Sequence, residues 1–144
     1  MEAIEQLDEE HCRATQVLRL KSVAQAYTGD VEGAYAVLRE LVTKHDSTIE
    51  DLYWTGQRAA EFGHYEDAEA FLGRAINRSK ETEDHYYLGC SLLLRAYVRI
   101  HLRNFALAKE DLEEVDEEAA EISWADRLGP ITKNGLMRQL NKAD

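Results

Sequence analysis

Between Tyr65 and Ser79 the apolar residues Ala68, Phe71, Leu72, Ala75 and Ile76 fall three and four apart. That is the spacing of one buried stripe on an α-helix. The stretch before it, from Leu52 to Phe62, reads as a second helix. Its entry, Ser47-Thr48-Ile49-Glu50, has the form of a capping box in which Ser47 caps and Glu50 reaches back. Gly63 ends it, because glycine takes the left-handed C-cap conformation without a steric penalty. Gly56 and Ala68 are small where the two helices of a hairpin must come close.

The hairpin recurs. The turn Gly63-His64-Tyr65-Glu66-Asp67-Ala68 lies 34 residues after Gly29-Asp30-Val31-Glu32-Gly33-Ala34, and a degenerate copy follows at Arg103-Asn104-Phe105-Ala106-Leu107-Ala108. A period of that length marks an array of helical hairpins, each burying its apolar face against the next. In the third unit Tyr87-Leu88-Gly89 and Leu92 supply a first-helix pattern, yet Ala108 follows Gly89 by 19 residues, where Gly56 and Ala68 are 12 apart. Seven extra residues are two helical turns and rotate the buried face by only about 20°. The spacing therefore predicts one continuous helix from about Asp84 to Leu102 that overhangs its neighbours. Residues 2–16 extend the first helix or form one of their own. The pattern stops after Val115, and Gly129-Pro130 breaks the chain. Thr132 to Asn141 is then a short amphipathic segment with Ile131, Leu136, Met137 and Leu140 on its apolar side, placed to cap the array.

Composition narrows the class. A chain of 144 residues, 44% hydrophobic, with one proline and no Gly/Ser-rich stretch, suits one ordered all-α domain. The expected divisions are repeats at about 15–46, 48–80 and 84–121 and a capping segment at 122–144. The net charge of −11 repels phosphate backbones and argues against nucleic acid while favouring a basic protein partner. The first ten residues carry five acids and no base, unlike a signal peptide. No apolar run is long enough to span a bilayer, so no membrane partner is expected. Cys12 and Cys90 make no disulfide framework, and a cytoplasmic setting is the simplest.

Leu52, Gly56, Ala59, Gly63, Tyr65, Ala68, Leu72 and Ala75 together resemble the signature of a tetratricopeptide repeat over Leu52–Lys80. Leu18, Ser22, Gly29, Ala34, Leu38 and Leu41 share the frame, while Lys21 and Gln25 depart from it where the family buries apolar residues. The resemblance implies an all-α, TPR-like superhelix of about three hairpins plus a C-terminal capping helix, without catalysis or cofactor. It also implies a concave groove lined by Gln16, Arg19, Val23, Glu50, Tyr53, Trp54, Gln57, Glu61, Tyr86, Leu93, Tyr97 and His101. Family members that clamp a terminal carboxylate use basic and amide side chains at positions that here hold Arg19, Val23, Trp54, Cys90 and Leu94. Only one of these is basic, which argues against that ligand.

A second candidate surface is the run from Glu110 to Glu121, with eight acids and no base. On a helix Glu110, Glu113, Glu114, Glu117, Glu118 and Glu121 share a broad face while Leu112 and Val115 point inward. Such a run is either a solvated outer face or a dock for a basic partner. Enzymatic chemistry has little support: His11, His45, His64, His85 and His101 are scattered, and no i, i+4 metal pair, nucleophile elbow or phosphate loop is present. The class expected is thus a protein-binding module. Its size and acidity, and a tail around Ser123-Trp124 and Ile131 to Leu136 similar to the ends of some small repeat proteins encoded beside bacterial toxins, suggest an immunity protein. Such a protein neutralises a basic toxin domain. A chaperone holding a secreted client segment and an assembly adaptor are the alternatives.

Overall fold

The computed structural model describes residues 2–44, 47–116, 121–122 and 128–143. Six helices form three antiparallel hairpins. These are α1 (Glu2–Tyr27) with α2 (Val31–Lys44), α3 (Ile49–Glu61) with α4 (Tyr65–Thr82), and α5 (Leu88–His101) with α6 (Phe105–Glu114). Each hairpin packs on the next through α2 against α3 and α4 against α5. A two-stranded antiparallel ribbon, β1 (Glu121–Ile122) and β2 (Ile131–Thr132), and α7 (Lys133–Ala143) complete the described residues.

The three intra-hairpin turns close in the same way. Gly29, Gly63 and Arg103 hold left-handed φ angles of 85°, 77° and 64°. The next residue's N–H donates back five positions in each case: Asp30 to the Gln25 carbonyl, His64 to Ala59 and Asn104 to Arg99, at 2.8, 2.9 and 2.8 Å. That is the Schellman closure, which satisfies carbonyls left over at a helix C-terminus. Arg103 therefore stands in a glycine's place. Its position aligns Ala96, not Gly89, with Gly56 and Ser22.

That alignment corrects the expected long helix. α5 begins at Leu88, has 14 residues and does not overhang by two turns. The added length of the third unit lies before it, in an 18-residue α4 and in residues 83–87. The truly long helix is α1, 26 residues, so the N-terminal segment continues the first repeat helix. The capping box on α3 is likewise displaced by one residue. Thr48 is the cap, accepting the Asp51 N–H at 3.1 Å, and the Asp51 carboxylate accepts the Thr48 N–H at 3.2 Å. Asp51 also takes two bonds from the Arg19 guanidinium at 2.8 and 2.7 Å, tying α1 to α3.

The core follows the small positions. A Cβ on Gly56 would sit 2.7 Å from Leu72 Cγ, so α3 and α4 pack this closely only without a side chain there. At the matching place in the first hairpin the Ser22 hydroxyl donates to the Ala34 carbonyl at 3.2 Å. Ala68, Phe71, Leu72, Ala75 and Ile76 are all buried, as their spacing predicts. At the other end Ile122, Ile131, Leu136 and Leu140 join the same core, and Lys133 Nζ donates to the Val115 carbonyl at 2.8 Å. β1, β2 and α7 pack against α5, and Leu93 and Leu94 are fully buried there.

α6 ends at Glu114, and Val115 is extended, with ψ at 122°. The continuous acidic helix expected through Glu121 does not form: Glu121 lies in β1. Glu117 and Glu118 fall outside the described residues. Asp111, counted in that acidic run, points inward. Its carboxylate accepts from Arg95 at 3.0 and 2.7 Å and from Arg99 at 2.8 Å, and Arg99 also reaches Glu69 at 2.8 Å.

Candidate binding groove

A cleft of about 410 Å³ opens between α1 and α3, lined by Arg19, Ser22, Val23, Ala26, Tyr27, Leu38, Glu50, Asp51, Trp54 and Arg58. Its α3 wall is organised by a chain of side-chain contacts. The Tyr53 hydroxyl donates to Gln57 Oε1 at 2.9 Å and the Gln57 amide donates to Glu61 Oε1 at 3.1 Å. Arg58 pairs with Glu61 at 2.9 Å while lying over the Trp54 ring at 5.9 Å. The spacing explains the order: residues four apart stack along one helix face, and Arg58 sits beside it.

The same chain of contacts withdraws three predicted groove residues from the surface. Tyr53 and Gln57 are 0% and 1% exposed. The Glu61 side chain is 2% exposed, held by Arg58 and Gln57. These three are packing residues, fixed because a buried polar group needs a partner at every donor and acceptor. Leu93, expected in the groove, is core as well. Trp54 is half-buried, at the lip of the cleft. Glu50 is exposed beside it, and Gln16 is exposed one helix away.

Arg19, the one basic residue at a clamp position, is already engaged bidentately by Asp51. Burial alone would raise the Asp51 carboxyl, but the hydrogen bonds from Arg19 and Thr48 outweigh it and hold its pKa below the ordinary value. Of the other clamp positions, Leu94 is buried and Cys90 half-buried, its thiol pushed up by desolvation. These side chains offer no clamp for a carboxylate.

In the third unit Tyr97 and His101 come together with Tyr65 of α4. The His101 ring stacks on Tyr65 at 4.6 Å and meets Tyr97 at 4.5 Å. Burial lowers the His101 pKa, and burial with the neighbouring Tyr65 raises that of Tyr97. Tyr86 is 82% exposed, but it lies in the connection before α5 and not on a groove helix. It stands edge-on to Tyr87 at 4.9 Å and borders a separate cleft of about 670 Å³ with Glu50, Arg78, Asp84 and Tyr87. Burial, followed by the adjacent Glu50 charge, raises the Tyr87 pKa.

On the acidic face Glu110, Glu113 and Glu114 are exposed, with Glu114 paired to Lys80 at 3.0 Å. Among the described residues no three His, Cys, Asp or Glu side chains converge as metal ligands, and no helix is long and apolar enough to cross a membrane.

Most of the strongly exposed large apolar side chains lie elsewhere, on α1. Val17, Leu20, Val23 and Tyr27 are 61%, 69%, 52% and 89% exposed. Only Val23 was expected at the surface, because the family frame assigns groove positions one by one. With the exposed Ala24, Val17, Leu20 and Tyr27 fall three, four and three apart, and that spacing is the signal that reveals them.

No protein-family profile matches the chain, and no curated protein resembles it in sequence to a significant degree. Solved structures do resemble it. The Arabidopsis OM64 TPR domain superposes with a TM-score of 0.67 at 16% identity, over 93% of this chain and 99% of that one. The N-terminal domain of stress-induced protein-1 (STI-1) from C. elegans gives 0.65 at 13% identity, over 92% and 95%. The TPR2AB domain of yeast Sti1, in a pHSP90 complex, gives 0.65 at 14% identity over 91% of this chain, which spans 49% of that longer one. The fold is a TPR-like, all-α superhelix with a C-terminal helix.

Proposed function

We propose that the protein is a non-catalytic protein-binding module and that its partner is a basic protein, in the finest form a toxin domain that it neutralises as an immunity protein. The observation that carries this is the pairing of an open cleft with an apolar rim, the exposed Val23 and Tyr27 and the half-buried Trp54, on a molecule of net charge −11. Apolar contacts supply residence, and charge of one sign steers a partner of the other. The engaged Arg19 and the buried Leu94 speak against a terminal carboxylate as ligand. A second form of the same activity, a chaperone holding a client's apolar segment, is supported by the run of exposed aliphatic residues on α1.

The product of an adjacent gene, purified and titrated against this chain, tests both forms. A basic toxin domain should bind, with slower dissociation lost on Trp54→Ala and slower association on Glu110→Lys with Glu113→Lys. A partner that binds no faster to the native chain than to the charge-reversed one removes the acidic face from the mechanism. A secretion client in that gene's place selects the chaperone form.

A further inference from the structure

The two ends of the array differ. At the third hairpin the exposed side of α5 is covered by β1, β2 and α7, and Leu93 and Leu94 vanish from the surface. At the first hairpin nothing among the described residues covers the corresponding side of α1, and its aliphatic side chains stand in solvent. Val17, Leu20, Ala24 and Tyr27 are all exposed and are spaced three, four and three apart. That alternation keeps one seam along a helix and is the pattern a second helix packs into. Scattered surface hydrophobes need no explanation, but a contiguous stripe bordering a cleft marks an interaction site.

We propose that α1 docks an amphipathic α-helix of a partner protein, its aliphatic stripe laid along Val17, Leu20, Ala24 and Tyr27 and a basic side chain reaching Glu50. Charge selects this occupant over the obvious alternative. A second copy of the chain would bring another −11 to the same face, whereas a basic helix brings the opposite sign. The cleft continuous with the stripe contains Arg19 and Asp51 already paired with each other, and Arg58 is paired with Glu61. Glu50 is an exposed carboxylate on its rim, with the neutral Tyr87 phenol as its neighbour in the second cleft and no cation paired with it among the described residues, 23 residues past Tyr27 in sequence yet lining the same space. A Lys or Arg beside the partner's stripe supplies the opposite charge that Tyr87 does not. The proposal rests on the reading of the protein as a binder of basic partners and specifies the form that partner presents.

The test uses the full chain and three synthetic peptides of about three heptads each. One carries a heptad leucine seam flanked by lysines, the second has the same composition with a central proline, and the third replaces lysine with glutamate. Calorimetric titration should show binding of the first alone, weakened roughly tenfold or more by Leu20→Asp. Leu20 is exposed, so that variant should keep its helical circular dichroism. Equal binding of the proline peptide, preference for the glutamate peptide, absence of binding by all three, or indifference to Leu20→Asp overturns the proposal. So does a dimer of the protein alone, seen in sedimentation and abolished by Leu20→Asp, because the stripe then has another occupant. If the adjacent gene product binds and Leu20→Asp does not disturb it, this inference fails while the proposed function stands. If the lysine peptide binds as expected and that gene product does not, the reverse holds.

Discussion

Asp111 occupies, 40 residues on, the place that Phe71 fills in the second hairpin, and two guanidinium groups replace the packing that an aromatic ring gives there. The carboxylate is 2% exposed and Arg95 and Arg99 are themselves largely covered. Removing one member of a buried ionic group strands the others without water or partner. Asp111→Ala should therefore cost about 3–5 kcal/mol in chemical denaturation, far beyond a surface acid. A loss below about 1 kcal/mol would place the group in solvent. Asp51 makes a prediction in pH. Its folded pKa lies below the unfolded value, so its contribution is full above that value and is lost as pH falls through the lower, folded one. The native protein should lose stability on acidification in the range below about pH 4, and Asp51→Asn should flatten that part of the profile. Both aspartates were legible in sequence only as acids. Period alone sets Asp111 on the stripe of Ala108, Leu112 and Val115 and leaves Glu110 and Glu113 off it, but that a charge can be buried there depends on arginines one helix away.

At the scale of elements, turn chemistry governed what could be read. Gly29 and Gly63 announce their helix ends because their φ values favour glycine, and the stripe from Ala68 to Ile76 announces its helix by period. The third turn carries Arg103 in the same left-handed conformation, so the one residue type that would have fixed the alignment is missing. Gly89 then offered a false anchor, and the added length was placed in α5 instead of α4 and the connection after it. A non-glycine residue pays roughly 1–2 kcal/mol in that region, partly offset by the greater freedom glycine gives the unfolded chain. Arg103 is exposed. Arg103→Gly should therefore raise stability by up to about 1 kcal/mol in a thermal or denaturant melt, and a destabilised variant would mean that the arginine side chain holds the turn. The displaced cap on α3 has a similar origin, since Ser47 and Thr48 are both good caps and the choice is made by Asp51, three residues after Thr48.

For the molecule as a whole, the class of fold was visible in period and composition, whereas the location of the binding surface was visible only in part. Trp54, Val23 and Glu50 were found because the repeat frame points at them, while Tyr53, Gln57 and Glu61 share that frame and are consumed by packing. Exposure depends on which neighbour covers a helix, and that is a property of the assembled array. The association of a basic partner should follow the same global logic. With −11 on one side, the on-rate should fall steeply with ionic strength over a range where the Debye length is about 10 Å or more. Charge reversal at Glu110 and Glu113 should make that dependence shallower in stopped-flow kinetics across a salt series, with the dissociation rate little changed.

The covering of α5 has a consequence in time as well as in space. Leu93 and Leu94 are synthesised before the segment that hides them, and Ile131, Leu136 and Leu140 come last among the described core residues. At about 5–20 residues per second the ribosome leaves that apolar flank uncovered for a few seconds on every nascent chain. During that interval the growing array carries bare aliphatic surface at both extremities. A messenger cut or a ribosome stalled before Ile131 would release a product whose three hairpins are present but whose α5 flank is open. Such fragments would be sticky at a face the finished protein never shows, and quality control would meet them as aggregation-prone debris, not as a shortened but serviceable binder.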